Sequence, residues 1–133
     1  MNTDAERDRD FTSLEAWQKA REVKLFFYQK VLPKLPSEEK FNLNIQIRKA
    51  AVSGTANIAE GYGRYHYKEG VQFYRISRGS LAELKDHLFS CFDLAYISKA
   101  LFDDGILRID AARKLLNGYI KYALNQIKTS KEE

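Results

Sequence analysis

Gln46-Ile47-Arg48-Lys49-Ala50-Ala51-Val52-Ser53-Gly54-Thr55-Ala56-Asn57-Ile58-Ala59-Glu60-Gly61-Tyr62-Gly63-Arg64 holds no proline and no alternation of period two. Its apolar and small residues recur at Ile47, Ala50/Ala51, Gly54 and Ile58, a helical spacing that gathers them on one face. Phe41 and Leu43 continue the stripe upstream. Ala50, Ala51, Ser53, Gly54, Ala56, Ala59 and Gly61 let a second helix come close, at some loss of helix propensity at Gly54. Gly61-Tyr62-Gly63 suits a left-handed C-terminal cap. A helix over about residues 38–63 is the expectation.

Working outward, Pro33-Lys34-Leu35-Pro36-Ser37 is the clearest loop. Before it, Leu14, Trp17, Leu25, Tyr28 and Val31/Leu32 predict a helix over about 12–32, with Thr12 and Glu15 as a capping box. Residues 1–10 alternate in charge and read as a disordered lead-in. Downstream, Phe73, Ile76, Leu81, Leu84, Leu88, Cys91 and Ala95 share one side of a helix over about 67–97. A last helix carries Leu101, Ile109, Leu115/Leu116, Tyr119, Tyr122/Ala123 and Ile127. Its start is ambiguous: Asp103-Asp104-Gly105 reads as a turn, Ser98 equally as an N-cap. Residues 129–133 are expected to fray. The fold class is all-α, an antiparallel up-and-down four-helix bundle over 11–128.

The 133 residues suit one domain that buries its own core. No apolar run is long enough for a membrane span, and the charged first residues lack a signal-peptide core. The lone Cys91 excludes an internal disulfide. A soluble, cytoplasmic protein without a membrane partner is expected. The net charge of +4 is unevenly placed, because residues 40–78 hold seven Lys/Arg against two Asp/Glu. This segment interleaves Tyr62, Tyr65, Tyr67 and Tyr74 with its cations. Such a pattern is either a nucleic-acid footprint or a solvated helix face with aromatic anchors.

Catalytic constellations fail in turn. Cys91 occupies a core-facing position with no histidine nearby in sequence. A di-iron bundle needs two Glu-x-x-His pairs, whereas Glu83/His87 are four apart and have no second copy. Gly61-x-Gly63 follows no strand, and His66 has no metal-spaced companion. A non-enzymatic protein without cofactor or metal is expected. Polar residues embedded in the helices, Gln46, Ser53, Asn57, Glu60, Ser80 and Glu83, suit a network between helices two and three. A ligand or nucleic-acid contact is the other reading of them.

The quoted stretch, with Asn57-Ile58-Ala59-Glu60-Gly61, resembles the hallmark of the four-helix-bundle proteins encoded by intervening sequences of bacterial large-subunit ribosomal RNA, a ribosomal-protein-like family. Arg78-Gly79-Ser80-Leu81-Ala82-Glu83-Leu84 resembles its second signature, and the outer segments 14–20 and 115–120 are also similar to it. The resemblance spans about residues 11–127. It implies helix four starting after Ser98, over about 99–127, and a homopentamer. It also implies kinship with the nucleic-acid-binding accessory protein of diversity-generating retroelements. A reverse transcriptase would be a partner only for a gene inside such an element. Departures from the family pattern fall at Gly54-Thr55, expected to straighten helix two, at Gly70, expected to remove an apolar anchor, and at Ser77 for the usual Ala. The expected function is binding of structured RNA through Arg48, Lys49, Arg64, Lys68, Arg75 and Arg78 as phosphate contacts. The alternative is a protein–protein scaffold.

Overall fold

The four apolar stripes meet in α1 (Glu15–Phe26), α2 (Leu43–Tyr62), α3 (Tyr67–Asp93) and α4 (Lys99–Ser130) of the computed structural model, which describes residues 10–130. Each helix packs on the next, and α1 also packs on α4, which closes the ring. The short connections over 63–66 and 94–98 make α2, α3 and α4 antiparallel in turn. Val23, Phe27, Ile47, Ile58, Leu81, Leu84, Leu88, Ile109 and Leu116 are fully buried at its centre. The 32 residues of α4 make it about 48 Å long at 1.5 Å per residue. The fold is a four-helix bundle, with no strand among the described residues.

Several ends differ from the sequence expectation. Thr12 does not cap α1; Asp10 instead caps a short 3-10 turn, Phe11–Ser13, its carboxylate accepting from the Phe11 N–H and the Thr12 hydroxyl. After Phe26 the first helix widens into a π turn, Phe27–Val31, where the Leu32 N–H reaches the Phe27 carbonyl. It then tightens into a 3-10 turn, Leu32–Lys34. Pro33 has no N–H to continue the α ladder, so the regular helix ends early. The wide turn keeps Phe27 and Val31 inside the core. Ser37–Glu39 forms a separate 3-10 turn, and α2 begins only at Leu43. Phe41 therefore precedes the helix and is 80% exposed, not part of the stripe. Glu39 holds this corner, accepting from the Leu43 N–H and, at 2.7 Å, from the Tyr96 hydroxyl. The Tyr96 hydrogen bond keeps the Glu39 carboxyl below its ordinary pKa.

No glycine has positive φ; Tyr65 (φ 62°) and Ala95 (φ 61°) do. Gly63 caps α2 in the right-handed region, so the left-handed cap expected at Gly61–Gly63 is absent. Helix α3 stops at Asp93 rather than Ile97, with Tyr96 N–H to Cys91 O and Ala95 N–H to Phe92 O. That pair of bonds is a Schellman ending built on alanine. Ser98 caps α4, its hydroxyl accepting from the Leu101 N–H at 3.1 Å. Asp103-Asp104-Gly105 is helix, not turn. Of the lead-in and the frayed end, residues 1–9 and 131–133 lie outside the described residues. Thr129 and Ser130 remain helical, their hydroxyls donating back to the Asn125 and Gln126 carbonyls.

Of the small residues of α2, Ser53, Gly54 and Gly61 meet α3, whereas Ala56 is exposed. Gly54 faces Leu81 at ordinary contact distance, and the Ser77 hydroxyl donates to the Gly54 carbonyl at 2.6 Å. Gly61 faces Gly70, where a Cβ on Gly70 would stand 3.0 Å from the Gly61 carbonyl oxygen. Seven residues forward on α2 thus match seven residues back on α3, a constant antiparallel register. Gly70 is not a lost anchor: it lets the two backbones touch.

Candidate nucleic-acid interface

The 100° step between helix positions distributes the six expected phosphate contacts around the bundle. Arg48 leans toward the π turn that follows α1, its guanidinium 5.0 Å from the Tyr28 ring centre and its Nε donating to Asn44. Arg78 leans the other way and donates to Asn117 of α4. Arg64 lies over Phe73 at 4.9 Å and is claimed by Glu60 (3.0 Å) and Glu69 (3.8 Å). The positive excess of residues 40–78 is therefore not one patch. A run of cations in sequence is spread by helical geometry, and two of the six are turned toward the flanking helices.

Lys49, Arg75 and Lys68 are exposed. Arg75 and Lys68 are seven apart, two helical turns, and share one side of α3. The register places Lys49 level with residue 82, a further seven residues along. The three cations are thus spaced about 10 Å apart along the bundle at 1.5 Å per residue. Among the described residues, no carboxylate lies within ion-pair distance of Lys49 or Arg75.

Three of the six expected network residues join. Asn57 Nδ2 donates to the Ser53 carbonyl (3.0 Å) and hydroxyl (2.8 Å), and the Ser80 hydroxyl donates to Ser53 Oγ at 2.7 Å across the helices. Gln46, Glu60 and Glu83 stand outside it and are exposed. Glu60 turns to Arg64, and Glu83 turns to His87 at 2.9 Å, because partners four residues along the chain are nearer than those across the seam. Sequence reasoning missed two buried hydroxyls, Ser77 in the seam and Thr55 on the side of α2 that faces α1. Ser77 was noted only as a departure from Ala, although a lone hydroxyl among apolar neighbours was the available signal. Thr55 is buried and accepts from Lys24 of α1 at 3.1 Å.

At the end of the bundle where α2 turns into α3, Tyr62, Tyr65, His66, Tyr67, Tyr74 and Tyr119 line a cleft. Tyr74 and Tyr119 meet edge to face at 5.2 Å, and burial pushes both phenols well above their ordinary pKa. They are packing groups and remain neutral at physiological pH. Cys91 is fully buried, and burial raises its thiol to about 11. The thiolate nucleophile is accordingly scarce near neutrality. Ellman's reagent at pH 8 should leave Cys91 unmodified in the folded protein and react promptly in denaturant. Prompt reaction without denaturant would contradict its burial. Among the described residues, no group of three His, Cys, Asp or Glu is placed to hold a metal ion, and no helix is long and apolar enough to cross a membrane.

The fold and this surface define a four-helix-bundle protein with a polar α2–α3 seam and outward-facing cations. The family model of the 23S rRNA-intervening sequence protein matches residues 12–118, and the chain belongs to that family. A search of the curated proteins found no match.

Proposed function

We propose that the chain is a non-enzymatic protein that binds structured RNA through the outer side of α2 and α3, as a homo-oligomer. Membership of a family described by a ribosomal RNA sequence carries this reading. The exposed Lys49, Arg75 and Lys68 support it. Such cations attract phosphates and position the RNA without reading its bases. If three phosphates are neutralised, the affinity falls about 40-fold between 50 and 200 mM salt. Anisotropy with a labelled structured fragment of large-subunit ribosomal RNA measures this directly. Binding that is absent at 50 mM salt, or flat with salt, overturns the reading.

One observation favours the scaffold alternative. Val52 and Ile76 are 48% and 51% exposed, beside the exposed Ala56 and Gly79. An apolar, small-residue face of this kind suits a second copy, in line with the pentamer that the family resemblance implies. Charge reversal at Lys49 and Arg75, followed by light scattering, separates the readings. Lost RNA binding with an intact oligomer supports the first, and disassembly supports the scaffold.

A further inference from the structure

Of the four tyrosines interleaved with the basic segment, the fold withdraws two and presents one. Tyr67 and Tyr74 are 5% and 2% exposed, so neither offers a ring face to a ligand. Tyr65 is 53% exposed, at the turn between α2 and α3. Its φ of 62° is one that side chains with a Cβ rarely adopt and that glycine takes freely. The chain thus holds a large aromatic ring outward at a position where glycine would relieve the backbone. Strain that persists in this way is a pointer to use. His66 follows, also exposed, and Tyr62 is half-buried beside the same cleft.

Charge at this turn does not select a phosphate-rich surface. Arg64 and Lys68 are matched in number by Glu60 and Glu69, and Arg64 is paired to both carboxylates. What the turn offers is an aromatic face. A nucleobase stacks on such a face when it is unpaired, whereas bases within a duplex are already stacked on one another.

We propose that Tyr65 is a stacking site for an unpaired nucleotide of RNA, at the α2–α3 end of the bundle, just beyond the last cation of the row of Lys49, Arg75 and Lys68. This rests on the RNA-binding reading above and assigns a role within it: the cations hold the paired backbone, and Tyr65 holds a base from a loop, bulge or end.

The test compares a labelled hairpin carrying an unpaired loop with a blunt duplex of the same stem, by fluorescence anisotropy. Tyr65→Gly removes the ring while suiting the backbone, so the variant folds at least as well as the parent. It should weaken hairpin binding by about tenfold or more and leave duplex binding within about twofold. Because stacking releases no counterions, the salt slope should stay unchanged. Tyr65→Phe keeps the ring and should bind the hairpin within about twofold of the parent. Hairpin binding unaltered by Tyr65→Gly, an equal loss on both RNAs, or a Tyr65→Phe loss as large as that of Tyr65→Gly overturns the stacking site. The RNA reading then stands on the parent's own binding. A parent chain that binds neither RNA overturns that reading and the stacking site together.

Discussion

Gly61→Ala should destabilise the bundle by about 1–2 kcal/mol, although alanine is the better helix former by about 1 kcal/mol. A Cβ built on Gly61 stands 2.7 Å from Tyr74 Cε1, 2.9 Å from the Gly70 carbonyl oxygen and 3.0 Å from Phe73 Cβ. Two of these neighbours are backbone or Cβ atoms, which move only if helices α2 and α3 move. The third belongs to a ring that is 2% exposed and already packed on Tyr119. The helices must therefore separate where they are closest. Gly61→Val, with two further methyl carbons, should lose about 3 kcal/mol or more. At about 3–5 °C per kcal/mol for a domain of this size, both changes are measurable by thermal unfolding. Gly118 supplies the control, since nothing lies within 4 Å of its Cβ position in the middle of α4. Gly118→Ala should stabilise by about 0.5–1 kcal/mol. A Gly61→Ala protein that melts higher than the parent, as Gly118→Ala should, would show that the helices do not touch there.

This pair of glycines also shows what was legible in the sequence. The 3.6-residue stripe locates the helix faces because burial is periodic, and it placed Ile47, Ile58, Leu84, Leu88 and Ile109 inside. It is silent outside the helix, which is why Phe41, in the turn before α2, was misplaced. It also gives a direction without its limits: Ile76 keeps helical spacing yet sits far enough round α3 to be half exposed. Glycine is ambiguous for a different reason. The same residue type answers a need for positive φ or a need for close approach, and only the partner helix distinguishes them. Gly61 and Gly105, expected as a cap and a turn, both serve close approach. The positive φ values fall on Tyr65 and Ala95, which carry no local signal for them.

The candidate surface was legible to a lesser degree. Counting charges found the excess in residues 40–78, but net charge has no direction, and helical geometry turned Arg48 toward the π turn after α1 and Arg78 toward α4. Equally, polar residues in a helix look alike in sequence whether they cross the seam or pair along their own helix. Ser53 and Ser80 are short and reach only what is adjacent, so their side chains bridge. Glu60 and Glu83 are long and exposed and turn to side chains four residues on, Arg64 and His87.

Leu88→Ala should cost about 2–5 kcal/mol, and Gly105→Ala, costly in the parent, should add little to that loss. Leu88 is fully buried, and its Cδ2 lies 2.5 Å from where a Cβ on Gly105 would stand. Phe26 Cε2 stands at 2.8 Å on the other side. In the parent background the Gly105→Ala methyl therefore overpacks α1, α3 and α4 at once, for a net loss of about 1–2 kcal/mol after its gain in helix propensity. In the Leu88→Ala background that methyl enters the space the leucine vacates. The double variant should be more stable than the sum of the two losses predicts, by about 1–2 kcal/mol. Losses that add to within about 0.5 kcal/mol would mean that the two sites do not meet. Gly61 permits no such rescue, because its obstacles include the Gly70 carbonyl, which no side-chain truncation removes. The contrast separates two kinds of glycine in one bundle. At Gly105 the constraint is a side chain and is negotiable by substitution. At Gly61 it is the backbone of the neighbouring helix, so that position should tolerate glycine alone.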